Sequence, residues 1–248
     1  MKIKKYVIIC CALILLVSIS EAISLADNAL VYVINIRDEI GNGLRVYISN
    51  GIQSAEKANA DAIIFDVHTP GGAVGAARDI IDAIQRTHLP TIAYVNTEAI
   101  SAGAMISLAC SQIVMKPGGV IGDAAPVTIQ GEELGEKAVS YIRGKIRATA
   151  EREGRNPDIA AAMVDKELVL VRKKNGEIVA LTPDEYNDKK EAGEQMEVIS
   201  PEGKLLALTT AEALRYNFAD GEAETIEKLL AMYQIVEING VRQALTEK

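Results

Sequence analysis

The chain has 248 residues, of which 49% are hydrophobic and 24% are charged. This balance is typical of a globular protein and excludes a disordered or low-complexity chain. The formal net charge of −8, the absence of tryptophan and the presence of only 2 phenylalanines argue against a partner made of nucleic acid. The 2 histidines and 3 cysteines cannot complete a four-ligand zinc site without carboxylates, so we expect neither a metal nor a cofactor.

The first 22 residues have the composition of an export signal. Three of the first five residues are lysines, and the largely apolar run Tyr6–Ile19 follows them. This run is shorter than the roughly 20 apolar residues of a membrane-spanning helix, and Ser20-Glu21-Ala22 offers small residues to a signal peptidase. We therefore expect a signal peptide over residues 1–22, with an uncleaved N-terminal anchor as the alternative. Either segment predicts an exported protein, secreted or associated with a membrane.

From residue 30 onward, short β-rich runs alternate with amphipathic stretches. The predicted elements, in chain order, are a strand over Val31–Ile36, a helix over Leu44–Ala58, a strand over Ala62–Val67, a helix over Ala73–Thr87, a strand over Thr91–Val95, a helix over Ala102–Cys110 and a strand over Gln112–Met115. This order predicts parallel strands that are buried by helices. Because no linker rich in Pro, Gly or Ser divides residues 23–248, we expect a single domain there.

The second half of the chain opens with a polar stretch, Thr128–Glu136, which predicts a surface loop. A long helix is predicted over Lys137–Glu153, because Gly154 and Pro157 would end it. Further along, the pattern Gly-Leu-Thr-Glu of residues 176–185 recurs 27 residues later. Each copy predicts a glycine turn, a strand and a threonine N-cap that starts a helix.

Ser101 is the strongest candidate for a catalytic residue. It stands at a predicted strand-to-helix junction and is followed by the small residues Ala102-Gly103-Ala104. A hydroxyl at the start of a helix is accessible, and free N–H groups there can stabilise a developing oxyanion. Serine is also a common N-cap residue, so the position alone fits a structural role as well.

The glycine pair Gly71-Gly72 is a second candidate, because it follows a predicted buried strand as part of the sequence TPGG. Paired glycines leave backbone N–H groups open to a ligand, as an oxyanion hole requires. An ordinary Pro-Gly turn is the structural alternative.

A serine nucleophile needs a general base. The two histidines are candidates: His68 adjoins the glycine pair, and His88 lies in a predicted loop. A lysine is the other possibility, because a neutral amine can accept the seryl proton, as in Ser–Lys hydrolases. Lys137 opens the predicted long helix and Lys145 follows on the same face. The residues alone leave this choice open.

Taken together, these motifs resemble a known family. The segments TPGG, SAGAMISLACSQIVMKPGGVIG and a lysine-headed helix ending in AEREGRN are similar to those of the NfeD-type membrane-associated serine proteases. These belong to the wider ClpP-class group, which includes the signal peptide peptidase SppA. The resemblance covers roughly Leu30 to Leu230. It implies an α/β fold of stacked ββα units, the ClpP/crotonase superfold.

The resemblance also implies roles for particular residues. Ser101 matches the family's nucleophile, Lys137 is matched to its general base, and the N–H groups of Gly71, Gly72 and Ala102 would form the oxyanion hole. The implied activity is that of a Ser–Lys serine endopeptidase that cleaves hydrophobic segments of membrane-associated proteins, such as stomatin-like partners. The family further implies a homodimer or a higher homo-oligomer. One departure is the histidine at position 68, where the usual family turn has aspartate.

Two other functions are compatible with the same fold. Acyl-CoA chemistry on the crotonase fold uses paired backbone N–H groups to stabilise an enolate and has no need of a Ser–Lys pair. A catalytically idle scaffold would bind a stomatin-like membrane protein through an apolar groove and would not need Ser101.

Overall fold

The computed structural model describes residues 29–127 and 134–232. The predicted signal peptide and most of the predicted loop 128–136 lie outside these residues. The strands are β1 (Val31–Ile40), β2 (Ala62–Gly72), β3 (Thr91–Ile100), β4 (Gln112–Met115), β5 (Val120–Gly122), β6 (Val169–Lys173), β7 (Ile178–Leu181), β8 (Met196–Ser200), β9 (Ala207–Thr209) and β10 (Gly221–Glu222).

The helices of the described part are α1 (Asn42–Lys57), α2 (Val74–Arg86), α3 (Ala102–Leu108), α4 (Glu136–Arg152), α5 (Pro157–Ala162), α6 (Pro183–Glu191), α7 (Thr210–Arg215) and α8 (Ile226–Met232). Within residues 29–127 and 134–232, none of them combines the length and the hydropathy that a membrane crossing requires.

The main sheet has the spatial order β1-β2-β3-β4-β10, and every neighbouring pair in that series is parallel. β5 pairs with the end of β3 in parallel, and β9 pairs with β5 in the antiparallel direction. Helices connect the first four strands, so the predicted alternation of parallel strands and helices is confirmed.

Both faces of this sheet are buried, which explains why its strands are continuous apolar runs. Along β2, Phe65 and Val67 belong to the larger core, while Ile64 belongs to a smaller core on the other face. The smaller core also contains Tyr94 of β3 and Leu229 of α8. Alternation of side chains along each strand accounts for this division.

Three strands, β1, β2 and β3, are longer than predicted, and the extensions of β2 and β3 lead to the candidate site. β3 continues to Ile100, directly before Ser101. The TPGG segment is not a turn that follows β2, because Gly71 and Gly72 still pair with β1. The register shifts just before them, so that the backbone accommodates Pro70, which has no N–H to donate.

The 27-residue repeat is confirmed. Both copies end in a capping box, formed by Thr182 with Glu185 and by Thr209 with Glu212. The first copy supplies β7 to a separate antiparallel sheet of order β7-β6-β8, and the second supplies β9 to the main sheet. The same local sequence pattern therefore occurs in two different tertiary environments.

Candidate active site

Ser101 forms a sharp junction between β3 and α3. Its backbone has φ 56° and ψ −120°, a conformation that costs free energy for any residue other than glycine. The N–H of Ser101 donates to the carbonyl oxygens of Gly122 (3.0 Å) and Asp123 (3.1 Å), which hold this conformation in place. A strained serine between a strand and a helix is the geometry in which hydrolases expose a nucleophile.

Gly71 lies directly against Ser101. A Cβ atom built on Gly71 would be 2.5 Å from Cβ of Ser101 and 3.0 Å from its Oγ, and the φ of Gly71 is +112°. Only glycine satisfies both the space and the conformation at this position. Gly71 of the TPGG motif and Ser101 of the SAG motif, 30 residues apart in sequence, therefore meet because β2 and β3 are parallel neighbours.

The three expected oxyanion-hole donors are not equivalent. The N–H of Gly71 donates to Oγ1 of Thr69 over 3.1 Å, inside the protein. The N–H of Ala73 donates to the carbonyl of Ile40 (2.8 Å). In a parallel ladder a residue bonds to the neighbours of its partner and not to the partner itself, so the N–H of Gly72 points away from β1. Ala102 is the first residue of α3, where an α-helix leaves its N–H groups without intrahelical acceptors.

Lys137 lies on the outer face of α4. Ile146, which is buried in the core, is about two and a half helical turns further along and points the opposite way. Lys137 and Lys145 are both exposed, and within the described ranges no hydrogen bond or ion pair joins either side chain to another residue. Neither lysine is therefore hydrogen-bonded to Ser101 in this structure.

Lys145 lines a groove between α2, α3 and α4 that has a volume of about 180 Å³. The groove starts beside the candidate site, since Val74 follows the glycine pair and Met105 lies one helical turn after Ser101. Val74 and Tyr141 are 44% and 57% exposed. The full lining consists of Val74, Gly75, Arg78, Ile81, Asp82, Gln85, Met105, Tyr141, Ile142, Lys145 and Thr149.

Neither histidine is hydrogen-bonded to Ser101 in the described part of the chain. His68 pairs in register with Arg37 of β1, and its Nδ1 atom is buried without a hydrogen-bond partner. The side chain of His88 is 78% exposed and lies 3.9 Å from a carboxylate oxygen of Glu56. It follows the C-terminal end of α2, whereas the glycine pair precedes the N-terminal end of that helix.

A buried carboxylate that the sequence analysis did not identify lies close to His68. Asp66 accepts hydrogen bonds from the guanidinium of Arg37 and from Nδ2 of Asn96. Burial, followed by the negative charge of Asp66, raises the pKa of Tyr94 to about 12. The Tyr94 hydroxyl instead donates to the carbonyl of Ala223 over 3.1 Å. Among residues 29–127 and 134–232, no group of three or more His, Cys, Asp or Glu could hold a metal ion.

Comparison with known proteins identifies the family of the chain. The family described as NfeD1b, N-terminal domain, matches residues 30–197. The chain belongs to the NfeD1b family. It is 33% identical over 225 residues to the membrane protein NfeD1b of Bacillus subtilis, a match that covers 90% of this chain and 46% of that protein. The resemblance to NfeD-type proteins that the sequence motifs predicted is thus confirmed.

A second relative of this NfeD1b-family chain is the membrane-bound protease PH1510 of Pyrococcus horikoshii. The two are 34% identical over 167 residues, or 64% of this chain and 37% of that protein. The chain therefore spans less than half of the length of each of these two relatives.

Solved structures agree with the fold of the NfeD1b family member. The 1510-N membrane-bound stomatin-specific protease, in a serine-to-alanine variant, has a TM-score of 0.63 at 29% identity, covering 84% of this chain and 85% of that one. A lysine-to-alanine variant in complex with a substrate peptide has a TM-score of 0.64 at 27% identity, covering 86% of each chain. ClpP1 of Listeria monocytogenes has a TM-score of 0.51 at 18% identity, covering 80% of this chain and 92% of that one. The predicted ClpP-like α/β fold is confirmed.

Proposed function

We propose that the chain is a serine endopeptidase with Ser101 as the nucleophile. The contact between Gly71 and Ser101 carries this proposal, because it joins a strained serine to a glycine pair that can supply oxyanion donors. The name of the Pyrococcus horikoshii relative, a membrane-bound protease, supports the same activity. So do the solved variants of the stomatin-specific protease, one of which holds a substrate peptide.

The general base of this proposal is a lysine of α4. The resemblance of the sequence to its family favours Lys137, which lies in the first turn of α4. Lys145 is the alternative, because it lines the groove between α2, α3 and α4. The proposal therefore assigns the base to Lys137 and keeps Lys145 as the alternative.

The mechanism follows from these positions. The neutral lysine amine takes the proton of Ser101 while Oγ attacks the scissile carbonyl. The resulting oxyanion accepts hydrogen bonds from the N–H groups of Ala102 and of the glycine pair Gly71-Gly72. The lysine ammonium then protonates the leaving amine, and water repeats the cycle on the acyl-enzyme to release the acid.

The substrate of this proposal is a hydrophobic segment of a membrane-associated protein. Apolar side chains such as Val74, Met105 and Ile142 line the groove and would accept such a segment. The stomatin specificity of the solved relatives supports a stomatin-like protein as the substrate. An exported, membrane-associated location and a homodimer or higher homo-oligomer complete the proposal.

The test is hydrolysis of a panel of apolar peptides that includes C-terminal sequences of stomatin-like proteins. Ser101→Ala and Lys137→Ala should each lower kcat by roughly 10³-fold or more. Lys145→Ala is the matched control on the same helix and should keep most of the activity. Loss of activity in Lys145→Ala but not in Lys137→Ala would reverse the assignment of the base.

A non-catalytic scaffold is the second candidate. It is favoured by one observation: no described side chain is hydrogen-bonded to Oγ of Ser101 in the free protein. Folded protein that cuts no peptide, and whose Ser101 a fluorophosphonate does not label, would favour this scaffold. An acyl-CoA enzyme would instead retain its activity in Ser101→Ala, because enolate stabilisation needs only the N–H groups.

A further inference from the structure

We propose that Thr69 is a positioning residue that holds the N–H of Gly71 in the free enzyme and releases it to the oxyanion as negative charge develops. This inference rests on the proposed peptidase function. It assigns to the Thr69 hydroxyl the control of when the Gly71 N–H binds the substrate, although that hydroxyl does not touch the substrate.

The hydroxyl of Thr69 both donates and accepts a hydrogen bond. Its single proton is donated to the carbonyl oxygen of Asp38, since the other available acceptor, the carbonyl oxygen of Gly71, is further away at 3.4 Å. Its lone pair therefore accepts from the N–H of Gly71 over 3.1 Å. The Gly71 N–H thus already has an acceptor before any substrate binds.

Thr69 itself is fixed in place. It is fully buried, and a Cβ atom built on Gly103 of α3 would lie 2.6 Å from its methyl carbon Cγ2. Its acceptor Asp38 lies at the register shift of β1 and has a φ of 59°. Because both of these neighbours hold Thr69, the Gly71 N–H is the group that changes partner.

The exchange depends on charge. A substrate carbonyl and the Thr69 hydroxyl are both neutral acceptors, so the substrate has little advantage in the ground state. An oxyanion forms a charge-assisted hydrogen bond that is roughly twice as strong. The hydroxyl therefore yields the Gly71 N–H in the transition state, so this donor binds the oxyanion but contributes little to binding of the substrate in the ground state.

Removing the hydroxyl should also make the Gly71 N–H available to the substrate carbonyl in the ground state. In Thr69→Val, the Gly71 N–H can bind the substrate carbonyl before reaction, so KM should fall while kcat changes little. The expected gain in kcat/KM is about two- to tenfold, the equivalent of one net neutral hydrogen bond. Thr69→Ser keeps the hydroxyl and should not show the gain.

The experiment combines peptide hydrolysis with hydrogen exchange at the Gly71 amide of ¹⁵N-glycine-labelled protein. Thr69→Val should exchange faster at Gly71 than the wild type and Thr69→Ser. The matched control is Thr91→Val, which removes another buried threonine hydroxyl, at the start of β3. It should alter neither the Gly71 exchange nor KM. If Thr69→Val does not fold, Thr69→Ala takes its place under the same criteria.

A fall in kcat/KM for folded Thr69→Val, or unchanged exchange at Gly71, would overturn the proposal. If the wild type cuts no peptide, the proposed function fails, and the catalytic role of Thr69 fails with it. In that case the exchange rate of Gly71 still reports whether the hydrogen bond to Thr69 exists, so the two failures are distinguishable.

Discussion

Nη1 of Arg155 donates a hydrogen bond to the carbonyl oxygen of Cys110 over 3.2 Å, beyond the end of α3 that is opposite Ser101. Nη2 donates to the carbonyl oxygen of Ser111 (3.3 Å) and to a carboxylate oxygen of Asp220 (2.7 Å). The guanidinium is buried and connects the end of α3 to the segment that follows α7. It therefore fixes the helix that directly follows the proposed nucleophile.

Replacing Arg155 should destabilise the fold. Arg155→Met removes the donors to the buried carbonyl oxygens of Cys110 and Phe218, and we expect the free energy of unfolding to fall by about 2–4 kcal/mol. Arg152→Met is the control, because the Arg152 side chain is 54% exposed, and it should cost about 0.5 kcal/mol or less. Urea denaturation of both variants measures the difference, and equal losses would contradict the role assigned to Arg155.

Gly71 should not tolerate any side chain. In Gly71→Ala the new methyl group would collide with Ser101, at a φ that alanine rarely adopts. We expect kcat to fall by about 10²-fold or more, the loss measured when an oxyanion donor is removed. Gly43→Ala is the control, because a Cβ atom there has no neighbour within 4 Å. Near-normal hydrolysis by folded Gly71→Ala would contradict the proposed site.

Cys110 should make stability depend on alkaline pH. Burial raises the pKa of its thiol from 9.0 to about 12. The unfolded chain therefore releases this proton at lower pH than the folded chain does. The stabilising contribution is complete below pH 9 and is lost as pH rises towards 12, with a slope of at most about 1.4 kcal/mol per pH unit.

The measurement compares urea denaturation of the wild type and of Cys110→Ala below pH 9 and between pH 9 and 12. Tyr94, whose pKa is also raised to about 12, contributes equally to both proteins and cancels. The unfolding free energy of the wild type should fall more steeply with pH than that of the variant. Parallel curves would show that the thiol does not ionise on unfolding.

Met105 should control which substrates enter the groove. Met105→Trp would fill part of a volume of about 180 Å³ and should raise KM for peptides with large apolar side chains. A change of this kind in an apolar pocket is worth about 10- to 200-fold in kcat/KM. Peptides with alanine in the same position should be affected less. Met232→Trp, at an exposed position in α8, is the control, and an equal loss for large and small side chains would contradict the assignment.

Much of the fold could be predicted because its signals are local. Alternation of short β-rich runs with amphipathic helices indicated the parallel sheet, and the threonine N-caps at Thr182 and Thr209 marked the starts of α6 and α7. The extensions of β2 and β3 could not be predicted in this way. They depend on hydrogen bonds to neighbouring strands, as in the pairing of Gly72 with Ile40, and these bonds leave no local pattern.

The candidate site could likewise be predicted from the sequence only in part. Ser101 and the glycine pair are recognisable from residue types next to strand ends. The choice between Lys137 and Lys145 is not, because it depends on how α4 is rotated about its own axis against α3. That rotation is set by the burial of Ile142 and Ile146. The bond from Gly71 to Thr69 is hidden for a similar reason, since it requires the register shift at Asp38.

Under the proposed function, the backbone conformation of Ser101 sets activity and stability against each other. A residue other than glycine pays about 1–3 kcal/mol to hold such a φ and ψ. Glycine at position 101 would recover that free energy but would have no hydroxyl. Selection for thermostability alone would therefore favour glycine at position 101. The proposed peptidase activity is what requires serine there.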